Sequence, residues 1–127
     1  MQNSSTSDLK LGRYARHQKA LKEILLKVQT KFPNARIFER HVGLFYTHSG
    51  NPVKIGTKGE PDLVMYYPTQ HGMVYIGIEV KTGVAKQSAH QKKYQKFVES
   101  LNGLYIVGRS GEQVISEILI YLSKLKS

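Results

Sequence analysis

A chain of 127 residues suits one domain and leaves no room for a second of ordinary size. Its 19 Lys and Arg against 9 Asp and Glu give a formal net charge of +10, a surplus that favours polyanions such as nucleic acid. The absence of cysteine removes disulfides, thiolate nucleophiles and Cys-ligated zinc. No apolar run reaches the length of a membrane span and the first residues carry no apolar signal core, so a soluble, intracellular, cytoplasmic protein is expected.

Residues 1–8 are polar and are expected to form a flexible arm before a single domain over residues 9–127. Leu11, Tyr14, Gln18, Leu21, Leu25, Val28 and Phe32 recur at three- and four-residue steps, with Ile24 widening the stripe; this predicts a helix that Pro33 ends. Ala35 to Arg40 reads as a strand. Gly43 interrupts, and Leu44 to Tyr46 forms a second apolar piece, either the partner strand of a hairpin or the continuation of one bulged strand. His48 to Gly59, with three glycines and a proline, reads as a flexible loop.

Asp62 to Tyr67 is predicted to be a strand, Pro68 to Gly72 a turn, and Met73 to Val80 a second, central strand. Val74, Ile76 and Ile78 share one face of it; Tyr75, Gly77 and Glu79 share the other. Ser88 and Gln91 make a capping box for a helix to about Leu101, with Tyr94, Phe97, Val98 and Leu101 as its buried stripe. Leu104 to Val107 follows as a strand, parallel to the central one through a right-handed crossover. Ser110 and Gln113 cap a last helix lined by Val114, Ile115, Ile118, Leu119, Leu122 and Leu125. The order gives an α/β fold, a small mixed central sheet flanked by helices.

The chemistry concentrates in Gly59-Glu60-Pro61-Asp62 and Ile78-Glu79-Val80-Lys81-Thr82-Gly83. Glu79 and Lys81 are two apart on a strand and so face the same way; an antiparallel neighbour can bring Asp62 to them. Two carboxylates suit a hard divalent cation, Mg²⁺ or Mn²⁺, with the Val80 carbonyl as a further oxygen. Such a cation activates water against a phosphodiester. Lys81, protonated beside a metal and phosphate, positions that water or neutralises the transition state. Each residue alone has a plainer reading, as a turn Asp and a surface Glu–Lys pair. The charged pair at the end of an apolar strand is what argues against it.

The Pro before Asp62, the Glu79-x-Lys81 alternation, Gly83, Gln91 in the next helix and the Gly103-Leu104 strand beyond resemble the VRR-NUC domain of the PD-(D/E)xK nuclease superfamily, over about residues 14–118. Small stand-alone versions of that domain occur in phages and bacteria, so a phage or bacterial origin is expected. The resemblance implies a restriction-endonuclease-like core and a metal-dependent endodeoxyribonuclease acting on branched or Holliday-junction DNA as a homodimer. It also places Gln91 close to the metal. Arg40, His41 and Gly43 match the family's basic-polar segment, and Arg40 is expected on a phosphate. Lys54, Lys58, Lys86, Lys92, Lys93 and Arg109 are expected to extend the nucleic-acid surface. The chain departs from the family in the first helix. There Tyr14 stands where members carry an acid, four residues before Gln18. The acids nearby are Glu23, spaced to pair with Lys27, and Glu39; two named carboxylates then supply one metal, with Gln18 at its edge. That departure motivates two rivals: a catalytically weak nucleic-acid-binding protein on the same fold, and an interaction subunit whose basic face meets a protein.

Overall fold

The computed structural model describes residues 6–125, with side chains from Gly12 onward. The described residues run as α1 (Thr6–Lys31), β1 (Arg36–Glu39), β2 (Gly43–Tyr46), β3 (Pro52–Ile55), β4 (Leu63–Thr69), β5 (Gly72–Val80), α2 (Ala89–Ser100), β6 (Leu104–Gly108) and α3 (Gly111–Leu125). Four strands form one mixed sheet in the order β1-β4-β5-β6, antiparallel except for the parallel pair β5 and β6. The remaining two, β2 and β3, pair antiparallel as a separate ribbon.

The alternation in β5 decides the layering. Ile76, Ile78 and Val80 join Leu63, Met65 and Ile106 in a core that α1 closes with Leu21, Ile24 and Val28, and α3 with Val114 and Ile118. The opposite face carries Gly77 and Glu79 and is covered by α2, whose Tyr94 ring lies 6.4 Å from that of Tyr105. No helix among the described residues is long and apolar enough to cross a membrane.

Several boundaries differ from the sequence reading. Thr6 to Asp8, expected in the arm, already belong to α1, while residues 1–5 and the side chain of Leu11 lie outside the described set. Tyr14 is 63% exposed and is not on the buried stripe. Lys27 makes its close ion pair with Glu112 of α3 at 2.7 Å, tying the two helices together, with Glu23 a weaker Coulombic neighbour. The expected loop His48–Gly59 contains β3: Val53 and Ile55 supply β-favouring side chains, and Pro52, which cannot donate, sits at the first strand position. The strand after Asp62 runs on through Pro68 and Thr69, so the turn shortens to Gln70-His71. In α2, Phe97 and Leu101 are 55% and 67% exposed, and Val98 is the buried member of the stripe. Leu119 of α3 is likewise exposed.

Candidate metal and phosphodiester site

The ladder between β4 and β5 sets Leu63 opposite Ile78 and Val64 opposite Gly77. One more step of that register places Asp62 across from Glu79, on one face of the sheet. The turn before Asp62 is held from several sides. Gly59 has φ +93°, and a Cβ there would stand 2.2 Å from the His90 carbonyl oxygen, so only glycine lets this turn lie against α2. Pro61 packs over Gly77, where a Cβ would come within 2.6 Å of its ring. The Tyr105 hydroxyl donates to the Gly59 carbonyl at 3.3 Å. The Arg40 amide donates to the Asp62 carbonyl at 2.8 Å, fastening the segment to the end of β1.

The Asp62 carboxylate accepts from the Val80 amide through Oδ2 at 2.8 Å. His17, from α1, brings Nε2 to 3.2 Å from that oxygen and 3.1 Å from the Val80 carbonyl. One nitrogen therefore marks a point within reach of two hard oxygen atoms.

Glu79 is 4% exposed. Its Oε1 accepts from the Gln91 amide at 2.9 Å and lies 3.8 Å from the Lys81 ammonium. Its Oε2 is buried and has no hydrogen-bond partner. Burial, then the neighbouring Asp62 carboxylate, pushes the Glu79 carboxyl well above the usual range, and Lys81 pulls it back in part. Lys81 approaches only Oε1, so the buried Oε2 is left without a donor. The residues present suit a hard cation: Asp62, Glu79 and the Val80 carbonyl are all oxygen donors. Among the described residues, no three His, Asp or Glu side chains form a group that could hold a metal ion, so any such set needs the main-chain carbonyl and water.

Gln91 uses both ends of its side-chain amide. Its Oε1 accepts from the Ser88 amide at 2.8 Å, closing the capping box, while its Nε2 grips Glu79. Arg40 stands at the mouth of the site, but its guanidinium is paired with Glu60 at 2.9 Å. Gln18 and Glu39 line a pocket of ≈ 230 Å³ with His17, Arg40 and Asp62. Lys54, Lys58, Lys86, Lys92 and Lys93 are all exposed. Arg109, expected on the basic surface, instead donates to the Gly83 and Ala85 carbonyls at 3.0 and 2.6 Å and so pins the loop that follows Lys81.

His17 was missed by sequence reasoning, which traces the stripe of α1 through Tyr14 and Gln18. The available signal was position: His17, Leu21, Ile24 and Val28 step by four, three and four, so His17 extends the buried stripe. The chain matches no family model and no curated protein.

Proposed function

We propose that this chain is a Mg²⁺- or Mn²⁺-dependent endodeoxyribonuclease built on a restriction-endonuclease-like core of the VRR-NUC type. The observation that carries the reading is the buried Glu79 carboxylate, with one unpartnered oxygen, across the ladder from Asp62 and beside Lys81. Asp62, Glu79 and the Val80 carbonyl would hold the cation, which when bound lowers the pKa of a water and offsets charge on the phosphate. Lys81, a compact cationic side chain, would face the charge that builds as water attacks phosphorus and the P–O bond breaks. Gln91 keeps Glu79 oriented. His17 holds Asp62 and the Val80 carbonyl together from the α1 side. Lys54, Lys58, Lys86, Lys92 and Lys93 serve the phosphate backbone.

Branched DNA is the substrate that the resemblance favours, cut by a homodimer, since two strands call for two sites. Met73, 65% exposed, and Leu119, 46% exposed, line an apolar groove of ≈ 770 Å³ at the opposite end of β4 and β5 from Asp62 and Val80. A homodimer formed across that groove would keep Asp62 and Glu79 away from its seam. The position of His17, together with the outward Tyr14, favours one second reading: a nucleic-acid binder that cuts weakly because α1 brings no acid.

Cleavage of labelled linear duplex, flap and four-way DNA in Mg²⁺, Mn²⁺ or EDTA separates these readings. A nuclease cuts only with metal, and Glu79→Gln lowers the rate on the order of 100-fold or more. Tight binding without cutting by either protein would favour the binder.

A further inference from the structure

The β2–β3 ribbon is unlike the rest of the surface. Its strands pair with each other and with no other described strand. The register puts Phe45 opposite Val53 on one face and Leu44 opposite Lys54, next to Tyr46, on the other. Both faces are open: Phe45 and Val53 are each 42% exposed, Leu44 is 55% and Tyr46 is 66%. A bare two-stranded ribbon is marginal in water, and apolar side chains on both its faces mark an interaction surface.

Charge and position say what covers it. From His41 to Gly59 there is no Asp or Glu, while Lys54 and Lys58 are basic and exposed; Arg40, just before, is paired with Glu60. That balance suits a polyanion. Phe45 lines the same pocket as His17 and Asp62, and the start of the ribbon is tied to the Asp62 segment through Arg40. A continuous duplex offers phosphates but hides its base faces in the stack. Unpaired nucleotides offer both phosphate and π-face, which aromatic side chains bind without regard to sequence.

We infer that the β2–β3 ribbon is a base-stacking arm, with Phe45 taking an unpaired base beside the phosphate served by Asp62 and Glu79, and Tyr46 a second base on the opposite face. The substrate it selects is DNA whose duplex is interrupted by unpaired nucleotides next to the cut. The placement of the cut rests on the nuclease reading; the stacking does not.

The test measures binding by fluorescence anisotropy in EDTA, so that no strand is cut. Its probes are a continuous duplex and a gapped duplex of equal length with 2-aminopurine in the gap. The proteins are the wild type, the double variant Phe45→Ala/Tyr46→Ala, and Phe45→Leu/Tyr46→Leu, which keeps apolar bulk but removes the rings. Wild type is expected to prefer the gapped duplex by about tenfold or more and to quench the 2-aminopurine. Both variants lose the preference and the quenching while holding the continuous duplex as before. A preference kept by both variants, or absent from wild type, overturns the arm. So does a wild-type dimer that becomes a monomer in the variants by sedimentation, which would assign the ribbon to self-association. Gapped-DNA preference in a protein that never cuts with Mg²⁺ or Mn²⁺ leaves the arm standing and removes the nuclease.

Discussion

Glu79 carries a proton to higher pH in the folded, metal-free chain than it does when unfolded, because burial and then Asp62 oppose its charge. Between the ordinary carboxylate pKa, about 4.3, and the raised folded value, the native state binds more protons than the unfolded one, so stability falls as pH rises through that window. Below the window the loss is absent. Glu79→Gln keeps the shape and an oxygen for Gln91 while removing the charge. In EDTA at about pH 8 the variant should therefore melt several degrees above wild type, and at about pH 4 the two should converge. Saturating Mn²⁺ should raise the wild-type melting temperature, by about 2.7 kcal/mol of stabilisation at a hundred times Kd, and leave the variant unmoved. Thermal melts at the two pH values check both parts. At this scale the strand alternation made Asp62, Glu79 and Lys81 legible, since two-residue spacing alone puts Glu79 and Lys81 on one side. His17 was not, because the stripe on α1 was traced through Tyr14 and Gln18. Only the packing against β5 shows which residues of that helix turn inward.

The start of α2 is fixed by a glycine outside it. With φ +93° and no space for a Cβ, Gly59→Ala strains its own backbone and pushes on His90 and Tyr94. The expected cost is about 2–4 kcal/mol, read as a lower urea midpoint with an unchanged m-value, and Gln91 loses its reach to Glu79. Urea titration followed by circular dichroism measures the first part. The order of elements, the parallel β5–β6 pair and the capping box were legible, each resting on local pattern or on chain connectivity. β3 was hidden because Pro52 and Gly56 bracket a four-residue strand that reads as loop. Phe97 and Leu101 were misplaced for a different reason. Periodicity tells which side of α2 is apolar, whereas the neighbouring β6 and the Gly59 turn decide how much of that side is covered.

Across the whole molecule the excess of positive charge outweighs any single contact. DNA binding should weaken steeply with salt, and Lys92→Ala/Lys93→Ala should reduce the slope of log K against log salt by about 0.9 for each phosphate contact removed. Isotherms at several salt concentrations give that slope. A slope that does not change would place both lysines away from the DNA. The surplus of Lys and Arg was plain in composition, but the open apolar ribbon beside the site was not, since exposure belongs to the assembled chain. One consequence concerns the order in which the protein is made. Gln91 joins the cap of α2 to Glu79 through a single side chain. During synthesis β5 leaves the ribosome before α2, so Glu79 exists for a time without its amide donor and without the helix that shields it. A nascent chain thus carries both carboxylates before the side chain that orients Glu79 has been made.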